Sequence, residues 1–249
     1  MKLTYISPLV MGLMVAQSNG TTLAINLGPA TSDAEAGFTL LDSINSAGGA
    51  AAYSVTLGTS NGVTIVASTG GSLTDNRYRS IDRGDSTAYE GALDQLTESW
   101  VGTQTQGSAL TFSLTGVDAG EHVWTSYHFD NGTGASGNGN QNGQMLIELS
   151  VDSGASFSTL ATNFQIQDNE GTVTSTIAPF SANFTAVAGQ SVQFRFTNSA
   201  LGTLASGAID AGQDFTVING FTVAPAVILE PSTALLGLLG GLGLLRRRR

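Results

Sequence analysis

The chain has 249 residues, 32 of them glycine, no cysteine and only 11% charged residues; this excludes a disulfide framework and thiolate or cysteine–zinc chemistry, and fits an exported β-protein rich in turns. Of nine basic residues Lys2 and four arginines lie at the two ends, and of 19 acidic residues only Glu230 does, so the body sets Arg77, Arg79, Arg83 and Arg195 against 18 carboxylates, a charge near −14. That surface excludes nucleic acid, whose phosphates need cationic partners, and disfavours polyanions, leaving neutral sugar or calcium as compatible ligands.

Residues 1–24 read as a secretory signal peptide. Lys2 gives a positive start, residues 9–16 are apolar, and two small-residue cleavage sites compete, Ala16-Gln17-Ser18 and Thr22-Leu23-Ala24. Residues 24–28 form a first strand ended by Gly28-Pro29. Short β-branched runs over 51–57 and 63–67 flank Gly58-Thr59-Ser60-Asn61-Gly62, a hairpin loop. Residues 74–85 hold three of the four body arginines among acids and are expected as a solvated loop. Tyr89, Leu93, Leu96 and Trp100 fall at spacings of four, three and four, which predicts one short helix.

The second half is more regular. Residues 109–115 alternate Leu110, Phe112 and Leu114 against Thr111, Ser113 and Thr115, a half-buried strand. A tight loop over 116–120 leads to a second strand over 122–130. Residues 131–143 follow, with five glycines, four asparagines and no side chain larger than Gln141; loops of this kind are mobile or organised by a ligand. Further strands are expected over 145–151, around Phe157, Leu160, Phe164 and Ile166, and on either side of the turn Ala188-Gly189-Gln190. Residues 215–223 close the domain. About ten short strands with little helix predict an all-β fold, an antiparallel β-sandwich over residues 25–224.

Residues 225–249 differ in kind. Leu229-Glu230-Pro231-Ser232-Thr233 precedes residues 234–245, which carry no polar side chain, and the chain closes on Arg246, Arg247, Arg248 and Arg249. Arginine heads stay in the headgroup layer on the cytoplasmic side, so everything upstream of Glu230 is expected outside the cytoplasm. The apolar run of 14 residues from Ser232 to Leu245 makes about 21 Å of helix; snorkelling and local thinning can fit that to a thicker bilayer. The order of motif, apolar helix and basic tail resembles the PEP-CTERM sorting signal, with Leu229 where that family has its first proline. The resemblance implies processing by an exosortase at Glu230, Pro231 and Ser232, transient anchoring in the inner membrane by the arginines, and delivery to the cell surface or exopolysaccharide matrix. A permanently anchored envelope protein is the alternative.

The stretch from Leu110 to Asp130, with its loop Gly116-Val117-Asp118-Ala119-Gly120 between two aromatic-bearing strands, resembles the central hairpin of galactose-binding-like jelly rolls; Val217 to Val223 is similar to their last strand. The resemblance implies a jelly-roll sandwich and, in the domains of that family, carbohydrate binding. His122, Trp124, Ser126, His128 and Asp130 share one strand face, expected to face solvent, while Val123, Tyr127 and Phe129 look like core. Six residues of strand hold the two imidazoles about 20 Å apart, too far for one metal. A triad of Ser126, His128 and Asp130 is unsuited to nucleophile geometry, and no nucleophile-elbow sequence occurs, so no enzyme activity is expected. Asp118, Asp130, Asp152, Asp210 and Asp214 lie in or beside turns and cap backbone amides, with a structural calcium as the one cofactor option. His122, Trp124, His128 and Asp130 form a candidate site for a neutral glycan, an indole plate flanked by hydrogen-bonding groups. The competing expectation is that Trp124 is core.

Overall fold

The computed structural model describes residues 20–28, 34–42, 54–70, 76–80, 93–97, 99–103, 107–129, 144–166, 179–200 and 216–226. The leader up to residue 19, Asp130 with the loop 131–143, Asp210, Asp214, and the whole C-terminal motif, apolar run and arginine tail lie outside them. In chain order the strands are β1 (Leu23–Gly28), β2 (Thr39–Asp42), β3 (Ser54–Ser60), β4 (Val63–Gly70) and β5 (Asn76–Ser80). One helical turn, α1 (Asp94–Thr97), precedes β6 (Ser99–Thr103), β7 (Ala109–Thr115), β8 (Gly120–Tyr127) and β9 (Gln144–Ser150). Then come β10 (Ser158–Gln165), β11 (Phe180–Ala186), β12 (Val192–Ala200), β13 (Thr216–Ile218) and β14 (Gly220–Pro225). No helix among the described residues is long and apolar enough to cross a membrane.

The strands form a five-stranded sheet in the order β11-β8-β14-β1-β2, a six-stranded sheet in the order β10-β9-β12-β7-β4-β3, and a small sheet β13-β6-β5. Every described pairing is antiparallel except β1 with β2. The consecutive strands β7 and β8 lie in opposite sheets, and so do β11 and β12. β7 pairs with β12 in one sheet while β8 pairs with β11 in the other. The two pairs thus wrap around the sandwich together, which is the connection that defines a jelly roll. The fold is the expected antiparallel β-sandwich.

Alternation explains why. Leu110, Phe112 and Leu114 of β7, Met145 and Ile147 of β9, and Val192, Phe194 and Phe196 of β12 point inward and are almost fully buried. They meet Leu23, Ile25 and Leu27 of β1 and Phe221 and Val223 of β14 in one continuous core. Trp124 of β8 is the centre of it. Its ring lies 3.9 Å from that of Phe194 across the sandwich and 4.5 Å from that of Phe221 on the neighbouring strand, both stacked.

Several local expectations need correction. The β3–β4 loop is shorter than five residues: the turn is Asn61-Gly62 alone, with φ of 47° and 80°, the left-handed pair that a two-residue hairpin requires. The expected solvated loop over 74–85 contains β5, which supplies the backbone partners of β6 from Asn76 to Ser80. Among the described residues the expected short helix is the single turn α1; Leu93 takes φ 101°, which no helix continues through, and Trp100 sits in β6, buried. The closing strand is broken in two at Asn219. Gly220 then passes so close to β1 that a Cβ there would lie 2.3 Å from the Ile25 carbonyl oxygen, a place only glycine fits.

The polarity of β8 is also inverted. His122, Trp124 and Ser126 face inward with exposures of 2%, 0% and 0%, and His128 just beyond the strand is at 1%. Val123, Thr125 and Tyr127 take the outer face, half-buried. Burial of an indole outweighs the polarity of the histidines beside it: about 200 Å² of aromatic surface at about 25 cal/mol per Å² is on the order of 5 kcal/mol. Trp124→Ala is therefore expected to destabilise the protein by about 3–5 kcal/mol, measured by urea unfolding; a loss below about 1 kcal/mol would place the indole outside the core.

Candidate functional site

Of the two buried histidines, His128 is hydrogen-bonded on both ring nitrogens. The Ser126 hydroxyl donates to Nε2 of His128 at 2.7 Å, and Nδ1–H of His128 donates to the Val217 carbonyl at 2.7 Å. That fixes one neutral tautomer. The ring packs against Phe164 at 5.2 Å and Phe196 at 5.5 Å between centroids. Burial in this apolar shell lowers its pKa to about 4, only partly opposed by the bond to Val217. A hydroxyl bonded to an imidazole makes two of the three members of a hydrolytic triad, but here a backbone carbonyl takes the third place and Ser126 has no exposed surface. The arrangement ties β8 to β13.

His122 is held differently. Its Nε2–H donates to the Asp118 carbonyl at 2.8 Å, and its ring stacks on Phe184 with centroids 5.3 Å apart. Its Nδ1 is buried without a hydrogen-bond partner, as is Nε1 of Trp124. Asp118 in turn exchanges two bonds with Thr21: the Thr21 hydroxyl donates to Oδ2 at 3.0 Å and accepts from the Asp118 amide at 2.9 Å. The three described members of the expected glycan site, His122, Trp124 and His128, thus lie on one face as predicted, but it is the inner face. A sugar cannot reach the indole there, so these residues do not form the glycan platform; the fourth, Asp130, is not among the described residues.

Asn219 is a centre that periodicity could not reveal. Its Oδ1 accepts from the Phe129 amide at 2.7 Å and its Nδ2 donates to the Phe129 carbonyl at 2.9 Å. Its own amide donates to the Tyr127 carbonyl, and its carbonyl accepts from the Leu27 amide at 2.8 Å. One side chain therefore sets the exit of β8 towards the loop 131–143. The sequence signal was a lone asparagine inside an apolar run, Val217-Ile218-Asn219-Gly220-Phe221.

Among the described residues no group of three or more His, Asp or Glu side chains is placed to hold a metal ion. The Asp152 carboxylate is occupied by the Ser150 hydroxyl at 2.6 Å and by the Ser156 amide at 3.0 Å and hydroxyl at 2.5 Å. These donors hold its pKa down to about 2. It caps a turn, as expected of turn aspartates.

The outer faces carry two further features. On the five-stranded sheet Tyr127 meets Phe38 edge-on at 6.2 Å. On the six-stranded sheet Arg195 donates from Nε to Oε2 of Glu148 at 2.7 Å, and its guanidinium carbon lies 3.7 Å above the Phe157 ring. Strand alternation places Gln193, Arg195 and Thr197 outward once Phe194 and Phe196 are inward, so this group was legible in part; the pairing with Glu148 depends on a register between β12 and β9 that sequence does not display.

No protein-family model matches this chain, and no curated protein matches it. Among solved structures it is similar to CBM35 from Paenibacillus barcinonensis, at 13% identity and a TM-score of 0.34 over 71% of this chain and 100% of that one. It is also similar to TmCBM61 in complex with β-1,4-galactotriose, at 12% identity and a TM-score of 0.31 over 70% and 88%. An exo-β-1,3-galactanase from Phanerochaete chrysosporium matches at 13% identity and a TM-score of 0.29, over 64% of this chain and 33% of that one. Likeness at this distance transfers neither ligand nor site.

The buried His128 makes stability pH-dependent. The unfolded histidine takes a proton near 6.5 and the folded one only near 4. Between these values the unfolded chain binds the proton and the folded chain does not, so stability is complete above about pH 6.5 and falls as pH drops towards 4. The loss is on the order of 3 kcal/mol. Urea unfolding at pH 7 and pH 4.5 should show it, and His128→Gln should flatten that part of the profile; an equal slope in both proteins contradicts the assignment.

Proposed function

We propose that the chain is an exported surface or matrix protein whose β-sandwich body is a non-catalytic binder of neutral carbohydrate. One observation carries the reading: beside the Arg195–Glu148 pair and the apolar Val66 and Leu146, the outer face of the six-stranded sheet carries a run of uncharged hydrogen-bonding side chains, among them Thr64, Thr111, Ser113, Gln193 and Thr197, all part-exposed. Such a face offers donors and acceptors to a hydroxyl-rich polymer. The body charge near −14 favours neutral sugars over uronates. The one serine–histidine pair among the described residues is sealed inside the core, which supports a binding role over hydrolysis.

Export and sorting rest on the two ends of the sequence. In this reading Glu230, Pro231 and Ser232 are the processing motif of an exosortase-type enzyme, and Arg246, Arg247, Arg248 and Arg249 hold the precursor in the inner membrane until the tail is removed. The N-terminal cut falls before Thr21. Leu23 is buried in the core, the Thr21 hydroxyl is bonded to Asp118, and Nδ2 of Asn61 donates to the Thr22 carbonyl at 2.6 Å. A cut after Ala24 would remove all three contacts, so Ala16-Gln17-Ser18 is the favoured site over Thr22-Leu23-Ala24. Intact mass of protein recovered from the cell surface is expected to lack residues 1–18 and the four arginines. A mature chain starting at Ile25 overturns the cut assigned here, and a retained tail identifies a permanently anchored envelope protein instead.

Binding is tested by affinity electrophoresis of the mature protein in gels containing β-1,4-galactan, galactomannan or mixed-linkage β-glucan, with polygalacturonate as the anionic control and with calcium present or chelated. Retardation by at least one neutral polymer and free migration in polygalacturonate is expected. Free migration in every gel overturns the carbohydrate reading.

A further inference from the structure

We infer that the sugar contact of this body is the group Arg195, Glu148 and Phe157 on the outer face of the six-stranded sheet, extended sideways by Thr111 and Thr159, and that it takes the hydroxyl pairs of a linear neutral polysaccharide lying across the strands. The inference deepens the carbohydrate-binding reading and rests on it.

Register brings the group together. Arg195 of β12 stands directly opposite Glu148 of β9 on one side and Thr111 of β7 on the other. Thr159 of β10 stands opposite Glu148, and Ser68 of β4 opposite Thr111. Directly opposed residues of antiparallel strands share a face. The row Thr159, Glu148, Arg195, Thr111, Ser68 therefore crosses five strands at about 4.8 Å per step, a ladder of polar rungs at roughly the spacing of successive rings in an extended sugar chain.

Within that row the guanidinium is held in place before any ligand arrives. Nε is committed to Glu148 at 2.7 Å and the flat face rests on Phe157 at 3.7 Å. Two independent contacts fix both the position and the plane of the group. Nη1 and Nη2 have no protein partner among the described residues, although Arg195 is only one-third exposed. A salt bridge serving stability alone gains most from end-on, two-point contact between guanidinium and carboxylate. Here the arginine spends its side edge on Glu148 and leaves its fork free. A fixed fork fits two adjacent oxygens, and the remaining lone pairs of Glu148 can accept from sugar hydroxyls beside it.

Charge selects the ligand. Glu148 cancels Arg195 locally, and the body is strongly acidic, so a uronate gains little at the fork and is repelled by the surroundings. A neutral vicinal diol meets both a double donor and an acceptor.

The test uses the mature protein and its Arg195→Lys, Thr111→Val and Thr125→Ala variants, with dissociation constants from affinity electrophoresis in the neutral polymer that retards the parent and melting temperatures by circular dichroism. Arg195→Lys keeps the charge and loses the fork, and should weaken binding about ten-fold or more while melting close to the parent. Thr111→Val removes one hydroxyl of the row and should weaken binding several-fold. Thr125→Ala, on the outer face of the other sheet, should bind as the parent does. If Arg195→Lys proves unstable, Thr111→Val decides. Parent-like binding by both Arg195→Lys and Thr111→Val overturns this site while leaving carbohydrate binding in place. A parent that no neutral polymer retards overturns the function, and the site with it.

Discussion

The two sheets close on a single indole. Trp124 enters from the five-stranded sheet and lies parallel to Phe194 of the six-stranded sheet at 3.9 Å, with Phe221 stacked beside it at 4.5 Å and Phe196 tilted at 6.3 Å. Phe112 meets Phe221 from across the core and Phe196 on the neighbouring strand of its own sheet. Rings at these separations fix the distance between the sheets, and from that follow the inward phase of every strand and the outward phase of its alternate residues. The cost is one buried indole N–H without a hydrogen-bond partner, about 1–3 kcal/mol, less than the burial of the ring returns.

The polar groups inside this core tie strands together. Ser126 and His128 hold β8 to β13 through the Val217 carbonyl, Asn219 holds the end of β8 to the break between β13 and β14, and the hydroxyls of Thr103 and Thr216 bond at 2.7 Å between β6 and β13. The Asn219 link sits where regular pairing stops and supplies bonds the ladder no longer provides. Groups able to meet a ligand stand on the outer faces, where hydroxyl and amide side chains are common. Among them Arg195 is oriented by its partners Glu148 and Phe157.

Much of the fold was legible. Strict alternation located β7 to the residue and β8, β9, β11 and β12 within a few, because in segments this short a period of two marks a strand with one buried face. What alternation cannot say is which of two faces is inner. On β8 one face carried Trp124 among His122, Ser126 and His128, the other Val123 and Tyr127, and the choice was made by Phe194 and Phe221, which arrive from 70 and 97 residues later in the chain. Histidine reads as polar from sequence, yet His128, neutral and hydrogen-bonded on both nitrogens, packs as an aromatic. The loop expected around Arg77 failed, and the short helix expected to reach Trp100 stops at Thr97, for a related reason: β5, β6 and β13 supply one another's backbone bonds, and strand pairing with a distant segment overrode local periodicity.

The central claim is that Trp124 belongs to the interior and that any ligand is met by the outer face of a sheet. The chain has two tryptophans, Trp100 and Trp124, with exposures of 1% and 0%, so intrinsic fluorescence reports on this directly. Emission of the native protein should be blue-shifted, resistant to iodide quenching, and unchanged when a retained polysaccharide is added. A red-shifted, iodide-accessible component that the polysaccharide protects would contradict the account, because it would put an indole at the binding surface.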